Sequence, residues 1–318
     1  MKRRTVLKGL LAATAWPVMA QADARSPVIG VLVPGNVDPS GLLNIFKEAM
    51  RGLGYVEGQN FRIEFRAGDG EPGSLSHLAN DLVQRKVDVI VAWLTPAVRA
   101  AKQATGDIPI VIAGAGDPVA TGLVASLGRP GGNITGMAAV TPELASKNIE
   151  LLRELLPAAK KLAAMCNETD SFTKVFLEQV TVAATREKFD LDVVMTNVRD
   201  YETAFRRIHD GGADAAIIQP SLPTQSVARL ALEAHMPAIC PLENFTRAGG
   251  LLGYAGRSND QFRLAADYVD KILKGSKPAD LPIQLPTQFD LSINLKTAHA
   301  LGLTVPPSML ARANDVVE

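Results

Sequence analysis

The feature that most constrains the fold of this chain is a pattern of strand, helix and strand that occurs twice. In the first copy Pro109 follows Asp88 by 21 residues, and in the second copy Pro237 follows Asp214 by 23 residues. Short apolar runs rich in β-branched residues flank a segment of helical periodicity in each copy. These runs are residues 88–92 and 108–112 in the first copy, and residues 214–218 and 236–240 in the second. The similar spacing predicts two lobes of related topology.

The flanking segments extend each copy into a doubly wound α/β sheet. Residues 28–33 form a continuous apolar run that ends at Pro34, which indicates a buried parallel strand. Residues 61–65 alternate in polarity like an edge strand, and residues 162–166 open the second half as residues 28–33 open the first. Strands and helices in this order predict two Rossmann-like lobes with a ligand cleft at the carboxyl ends of the strands. Two unrelated Rossmann-like domains are the alternative.

The chain is expected to pass between the lobes several times. Residues 128–137 form a short link, and a helix starts at Pro142. Two extended segments, residues 251–254 and 289–294, flank a long helix from about residue 258 to residue 274, so the chain should cross back. Several crossings predict a multi-crossing hinge that bends without sliding. The predicted boundaries are residues 26–137 plus 257–287 for lobe 1, and residues 138–256 plus 288–318 for lobe 2.

The first 24 residues have the pattern of an export signal peptide. Basic residues 2–4 precede an apolar run over residues 9–20, and small residues follow. The pair Arg3 and Arg4 predicts a twin-arginine signal, with a general secretory signal as the alternative. A membrane anchor is not expected, because spanning needs about 20 apolar residues and Pro17 interrupts this run. We therefore expect a soluble periplasmic protein from which residues 1–24 have been removed.

The cysteines are Cys166 and Cys240. Neither cysteine lies at the exit of the signal segment, and this excludes a lipid-modified cysteine at the mature N-terminus. Cys166 is expected at the end of the first strand of lobe 2 and Cys240 at the end of the fourth, with the third strand between them. Two strand spacings, about 10 Å, exceed the roughly 4.4–6.8 Å between Cα atoms that a disulfide tolerates. The sequence therefore predicts two buried free thiols.

Charge and motif content argue against several classes of function. Lys and Arg together number 33, as do Asp and Glu, so nucleic acid is not an expected partner. Residues 113–119 begin like a dinucleotide-binding loop, but Val119 occupies the last glycine position and Pro118 removes an N–H donor. The four histidines are not spaced as metal ligands, and no Gly-x-Ser-x-Gly motif occurs. We expect a monomer with no cofactor, no metal and no enzymatic activity.

Residues just past the strand ends are the candidates for ligand binding, since they should face the cleft. Most are uncharged hydrogen-bonding groups beside one large aromatic ring, and Glu243 is the expected charged ligand group. Such a lining suits a small polar or amphipathic organic molecule. The candidates are Asn36, Trp93, Thr95, Gly116, Asn167, Gln219, Ser221, Glu243 and Tyr254.

Structural roles compete for several of these residues. Trp93 could pack in the core instead of forming a cleft wall, and the two hydroxyl residues, Thr95 and Ser221, could cap helices. Tyr254 could tie the lobes together without contacting ligand. Asp117 is not among the candidates, because it precedes a proline and is predicted to cap a helix over residues 118–127.

Three long motifs carry a resemblance to a known family. Residues 52–60, 117–136 and 294–307, in that order, resemble the ABC transporter substrate-binding protein family that includes tryptophan- and tyrosine-type binding proteins. The resemblance covers essentially the whole mature chain. It departs at residues 253–255, which read Gly-Tyr-Ala where the family tends to have Ser-Tyr-Gly. The resemblance implies a type I periplasmic-binding fold that encloses its ligand between the lobes and delivers it to a membrane permease powered by a cytoplasmic ATPase.

These observations favour an extracytoplasmic receptor for ABC uptake that closes around a small organic ligand, with an amino acid or an aromatic compound as candidates. A periplasmic sensor module that feeds a signalling receptor would use the same fold. An exported two-domain enzyme is a weaker alternative, because nucleophile, metal and cofactor signatures are missing. A ligand-responsive repressor is excluded, because an export signal stands where a DNA-binding domain would be needed.

Overall fold

The computed structural model describes residues 25–35, 39–68, 73–139, 142–197 and 200–318. The predicted signal segment, residues 1–24, lies outside the described residues, as does Asn36. The described chain forms two α/β lobes, each built on its own sheet. This is the architecture that the repeated pattern predicts.

Lobe 1 is built on a parallel sheet of five strands in the order β2-β1-β3-β4-β5. The three central strands are wholly buried, and β2 is a half-exposed edge, as its alternating sequence predicts. The strands are β1 (Val28–Val33), β2 (Arg62–Ala67), β3 (Val89–Ala92), β4 (Ile110–Ala115) and β5 (Ile134–Ala138). The connecting helices are α1 (Pro39–Gly52), α2 (Ser74–Gln84) and α3 (Leu94–Ala104).

Lobe 2 is built on a sheet of seven strands in the order β12-β11-β10-β9-β8-β6-β7. Its pairs are parallel except for β10 with β11. The strands are β6 (Lys161–Asn167), β7 (Asp190–Thr196), β8 (Ala215–Ile218), β9 (Ala238–Ile239), β10 (Leu252–Gly256), β11 (Phe289–Asn294) and β12 (Asp315–Val317). The helices are α4 (Pro142–Leu155), α5 (Thr173–Arg186), α6 (Tyr201–Asp210), α7 (Thr224–Glu233), α9 (Leu295–Ala300) and α10 (Pro307–Leu310).

Three segments connect the lobes. The chain passes from β5 into α4, and then from β10 into α8 (Ser258–Leu273), which packs against α1 and against β3, β4 and β5. It returns from α8 to β11 through residues 283–288. On that return Gln284 pairs with the edge of β5: its N–H donates to Gly136 O and its carbonyl accepts from Ala138 N, both at 2.9 Å. The third segment is therefore anchored to lobe 1 before it enters the sheet of lobe 2.

The prediction of a helix over residues 118–127 is wrong. The segment forms a series of turns instead. The Asp117 carboxylate accepts hydrogen bonds from the N–H groups of Val119 and Ala120, at 3.0 and 2.9 Å. Asp117 thus caps a turn as a helix N-cap would, but the chain does not continue into a helix. Leu123 and Val124 pack under β4, and the N–H groups of both donate to Pro118 O, so the helical hydrogen bond from Thr121 N to Asp117 O is not continued.

The two cysteines are buried and free, on strands separated by β8. Cys166 lies in β6 and Cys240 directly follows β9, as predicted. Burial raises the pKa of the Cys166 thiol to about 12 and also raises that of Cys240. Both sulfurs therefore stay protonated and unreactive in the folded protein.

Gly136 fixes how closely β5 approaches β4. It has φ of 126°, a conformation that L side chains rarely adopt, and a Cβ there would overlap the backbone of Ile112. We expect Gly136→Ala to lower the free energy of unfolding by about 3 kcal/mol or more, because backbone cannot move aside as a flexible side chain can. Urea unfolding followed by circular dichroism measures this change.

Gly52→Ala is the matched control for Gly136→Ala. Gly52 is exposed near the end of α1, and a Cβ there meets no atom within 4 Å. This variant should change stability by no more than about 1 kcal/mol, in the stabilising direction. Equal effects of the two substitutions would contradict the assigned role of Gly136.

Candidate functional site

The carboxyl ends of the strands of both lobes face each other, and three cavities lie between them. The α3 cavity, about 230 Å³, is lined by Trp93, Arg99, Asn167, Tyr201, Ser221 and Leu242 among others. The hinge cavity is small, about 20 Å³, and its lining includes Thr95, Gly116, Ala139, Asp170, Phe172 and Gly256. The α1 cavity, about 430 Å³, is lined in part by Leu42, Ile45, Gln225, Glu243, Asn244 and Asn259.

Trp93 is the residue that the three cavities share. It directly follows β3, is only 2% exposed, and packs edge-on against Phe262 with the ring centroids 6.2 Å apart. Its indole Nε1 is buried without a hydrogen-bond partner in the described structure. A buried indole N–H usually has a partner, so this donor is available to a ligand atom. Trp93 therefore packs in the core and also separates the cavities.

The turn that follows Trp93 is strained. Leu94 has φ of 62° although it is not a glycine, and it lines both the α3 cavity and the hinge cavity. Such a conformation is costly and occurs where the surroundings impose it, often at binding sites. The turn sends the chain directly into α3, so that Thr95 faces Gly116, whose N–H donates to Thr95 Oγ1 at 3.0 Å.

The loop after β6 carries a buried carboxylate that the sequence analysis did not single out. Asp170 is 6% exposed and lines the hinge cavity. Its oxygens accept hydrogen bonds from the Phe172 N–H and from Gln219 Nε2, both at 2.9 Å, and from the Ser221 side chain. Within the described ranges it forms no ion pair with any Lys, Arg or His. Asp170 is therefore a buried carboxyl group whose direct hydrogen-bond partners are all neutral.

Burial raises the pKa of the Asp170 carboxyl above its ordinary value. The hydrogen bonds from Phe172, Ser221 and Gln219 oppose that shift, as does the positive charge of Arg99. Since burial dominates, the empty site disfavours the charged carboxylate. A cation placed next to Asp170 would relieve this cost.

Arg99 is a cation that contacts this loop from lobe 1. It lies one turn into α3, half-buried, and lines the α3 cavity. Its Nε donates across the interface to Ser171 Oγ at 2.9 Å, and one of its terminal nitrogens donates to Thr121 O at 2.7 Å. Both acceptors are neutral, and in the part of the chain that the structure describes Arg99 has no carboxylate partner. Its other N–H groups remain available.

The structure brings most of the predicted site residues together. Trp93, Asn167 and Ser221 line the α3 cavity, and Thr95 and Gly116 line the hinge cavity. Gln219 is fully buried behind them. Its Oε1 accepts from Asn167 N and Thr173 Oγ1, both at 2.9 Å, so Gln219 positions the β6 loop.

Two predicted residues lie apart from this group. Glu243 lines the α1 cavity, where its carboxylate accepts from the N–H of Ser258, the first residue of α8, at 2.8 Å. Tyr254 lies on the opposite face of β10, where it stacks on Phe289 with ring centroids 5.8 Å apart, and it lines none of the three interlobe cavities. Asn36 lies outside the described residues.

The lobes meet closely at Gly116. The ring of Phe172 from lobe 2 occupies the space that a Cβ on Gly116 would fill. The backbone of Gly116 has an ordinary φ, so the glycine is needed here for space and not for conformation. A larger side chain at position 116 would therefore collide with the Phe172 ring.

No group of three or more His, Cys, Asp or Glu residues that could hold a metal ion occurs among the described residues. In the same residues, no helix has the length and apolar character needed to cross a bilayer.

The fold and the cavities between the lobes define a two-lobed binding protein of the type I periplasmic-binding fold. Residues 37–317 match the family model described as ABC transporter substrate binding protein. The chain therefore belongs to the ABC transporter substrate-binding protein family, as its three motifs suggest. Members of this family are binding proteins and not enzymes.

Individual relatives agree with this assignment. The chain is 28% identical over 277 residues to a tyrosine-binding protein of Clostridioides difficile, which covers 81% of this chain and 75% of that protein. An ABC domain from Streptococcus pneumoniae in complex with L-Trp has a TM-score of 0.83 at 24% identity, covering 92% of this chain and all of that one. A ligand-free, open substrate-binding protein from Clostridium difficile has a TM-score of 0.63 at 24% identity, covering 92% of this chain and 99% of that one.

The buried carboxylate makes a prediction about stability. In ligand-free protein, the unfolding midpoint of Asp170→Asn relative to that of the wild type should be a few degrees higher at neutral pH than at about pH 4, because only the wild type carries a buried charge that protonation removes. About 1 kcal/mol corresponds to roughly 2–4 °C in a protein of this size. The pKa of Asp170 is higher in the folded than in the unfolded state, so its carboxylate destabilises the wild type at neutral pH. This cost is lost as the pH falls through the raised folded-state pKa. The unfolding midpoint of the variant relative to that of the wild type should therefore decrease over the same pH range.

Differential scanning calorimetry of both proteins from about pH 7 to about pH 4 measures this difference. Glu168→Gln, the same charge change at an exposed position two residues away, is the control and should have little effect at any pH. A midpoint difference between Asp170→Asn and the wild type that does not change with pH would contradict the assigned cost.

Proposed function

We propose that this protein is the extracytoplasmic solute-binding receptor of an ABC uptake transporter, and that it binds a small organic ligand between its lobes. The observation that carries the proposal is the convergence of polar groups from both lobes on adjoining cavities. Trp93 and Arg99 come from lobe 1, and Asp170 and Ser221 from lobe 2. A ligand that contacts both sets gains more when the lobes are together than when they are apart.

Binding proceeds by closure of the two lobes about the three connecting segments. The moving bodies in this proposal are residues 26–137 plus 257–287 and residues 138–256 plus 288–318. The packing of α8 against lobe 1 and the pairing of Gln284 with β5 support assigning residues 257–287 to lobe 1. Shifting a closed population from about 1% to about 99% needs roughly 5.5 kcal/mol of differential binding. Several hydrogen bonds and one buried aromatic contact are enough for that.

The arrangement described here represents the closed form in this proposal. Phe172 and Gly116 touch, and Arg99 and Ser171 are hydrogen bonded across the interface. The higher TM-score with the L-Trp complex than with the ligand-free open structure, 0.83 against 0.63, supports this interpretation. The relatives named for tyrosine and L-Trp make an amino acid with an aromatic side chain the first ligand to test.

Export and delivery complete the proposal. The pattern of residues 1–24 supports export through the twin-arginine route into the periplasm, with removal of that segment. The closed receptor then docks as a monomer on a membrane permease of the ABC type, which receives the ligand. Family membership supports this partner.

The ligand is identified by a thermal-shift screen of purified residues 25–318 against the twenty protein amino acids and simple aromatic acids and amines. A true ligand at about 100 times its Kd should stabilise the protein by roughly 2.7 kcal/mol. Calorimetric titration of the hits gives the stoichiometry, expected to be one. Chemical turnover of a hit, or a signal that needs a metal or nucleotide, would contradict a receptor function.

Closure is tested at Gly116. We expect Gly116→Ala to weaken ligand binding at least tenfold, because the added methyl group meets the Phe172 ring only when the lobes are together. Tenfold corresponds to about 1.4 kcal/mol, a moderate cost for overpacking. Small-angle X-ray scattering should show a smaller ligand-induced decrease in the radius of gyration than in the wild type.

Gly106→Ala is the control for this variant. Gly106 lies in the same lobe, has no atom within 4 Å of an added Cβ, and has an ordinary φ. It should retain full affinity and the full change in radius. Wild-type affinity in Gly116→Ala would argue against closure as the basis of binding.

A further inference from the structure

We propose that the ligand is an α-amino acid recognised as a zwitterion, with Asp170 binding its ammonium group and Arg99 its carboxylate. This rests on the proposed function and deepens it, because it chooses between the two open ligand classes, an amino acid and a simple aromatic compound. It also gives each charge of the site a specific partner.

The anion side is the buried carboxylate of Asp170. A buried charge is stable only when it is paired or well hydrogen bonded, and here the donors are an amide, a backbone N–H and a hydroxyl. None of these neutralises the charge. The carboxylate lines a cavity, so the missing partner can arrive from outside the chain.

The size of the hinge cavity fits that partner. At about 20 Å³ the cavity holds one water-sized group, which is the size of an ammonium and too small for an aromatic ring or a guanidinium. The Thr95 and Ser221 hydroxyl groups also line it. Together with Asp170 they provide the oxygen acceptors that three ammonium N–H donors require.

The cation side is the guanidinium of Arg99. It has five N–H donors, and its two hydrogen bonds go to the neutral oxygens of Ser171 and Thr121. A planar guanidinium binds a carboxylate through parallel hydrogen bonds, which makes arginine well suited to this role. Arg99 lines the α3 cavity, which is larger than the hinge cavity and can also hold a side chain.

The two charged groups lie at the same part of the interface. Arg99 is hydrogen bonded to Ser171, the neighbour of Asp170, and its positive charge acts on the Asp170 carboxyl. The α3 cavity and the hinge cavity also adjoin, since both are lined by Trp93, Leu94, Pro220, Ser221 and Leu242. A zwitterion bound across this boundary would leave the site neutral overall.

The remaining space of the α3 cavity is lined by apolar groups that suit the amino-acid side chain. These are Leu75, Trp93, Leu94, Tyr201, Leu222 and Leu242. Because Arg99 belongs to lobe 1 and Asp170 to lobe 2, the headgroup would also tie the lobes together. Ligand recognition and closure would then depend on the same contacts.

The test uses three ligands that differ only in charge: L-Trp, tryptamine, which lacks the carboxylate, and indole-3-propionate, which lacks the ammonium. A second set is L-Tyr, tyramine and 3-(4-hydroxyphenyl)propionate. Calorimetric titration at neutral pH gives the Kd of each with wild type, Asp170→Asn and Arg99→Gln. Glu168→Gln and Lys102→Gln are the matched controls, since neither residue lines the α3 or the hinge cavity.

We expect the wild type to bind the amino acid at least about 30-fold more tightly than either analogue, the lower range for removing one partner of a buried charge pair. Asp170→Asn should bind the amino acid and the amine about 30-fold more weakly than the wild type does, and its affinity for the acid should be unchanged. Arg99→Gln should bind the amino acid and the acid about 30-fold more weakly than the wild type does, and its affinity for the amine should be unchanged. The control variants should keep the wild-type order.

Other outcomes overturn the inference. If the variants weaken all three ligands equally, or leave the amino acid unaffected, then these residues do not read the two charges, although the receptor function would stand. Wild-type protein that binds the amine or the acid as tightly as the amino acid would exclude zwitterion recognition. If no solute in the broader thermal-shift screen binds, then the proposed function itself fails. Circular dichroism of each variant, and Arg99→Lys as a charge-conserving variant, separate loss of fold from loss of recognition.

Discussion

Parallel strand pairing is the constraint on which the rest of this molecule depends. Parallel strands all end at one edge of a sheet, so the loops that follow them gather there whatever their sequence. In this chain two such edges face each other, and three connecting segments, one of them anchored by Gln284 to β5, hold them in that orientation. The cavities between the lobes, and the residues that line them, follow from this arrangement. Gly116 allows its backbone to contact the Phe172 ring, and Gly136 allows β5 to approach the backbone of β4.

The interface concentrates features that would be unfavourable elsewhere. Leu94 adopts a left-handed conformation, the indole N–H of Trp93 has no described partner, and the carboxylate of Asp170 is buried without a cation in the described structure. Each of these costs folding free energy, and each lies on the lining of the same adjoining cavities. Sites that bind ligands commonly carry such costs, because groups already satisfied by the protein have little to offer a ligand. The rest of the interior, by contrast, consists of large clusters of buried apolar side chains.

The sequence was sufficient to predict the two lobes, the strand order around the cysteines, and the loop positions of Trp93, Thr95, Asn167 and Ser221, because these depend on periodicity and on parallel topology. It was not sufficient for Asp170 and Arg99, which lie three and seven residues beyond their strand ends; only the path of the loop and the first turn of α3 bring them inward. Tyr254 lies away from the interlobe cavities, because successive residues of a strand point to opposite faces and the sequence does not show which face of β10 meets the cleft. The turns at residues 118–127 differ from the predicted helix because packing under β4 overrides local propensity.

The placement of the cysteines has a practical consequence. Both thiols lie in the sheet of lobe 2, whereas lobe 1 contains no cysteine. Thiol-reactive dyes therefore detect the unfolding of lobe 2 and do not detect the unfolding of lobe 1. A single cysteine introduced on the surface of lobe 1 would take up label alone in the native state, so fluorophores could be attached there without first deleting the natural sulfurs.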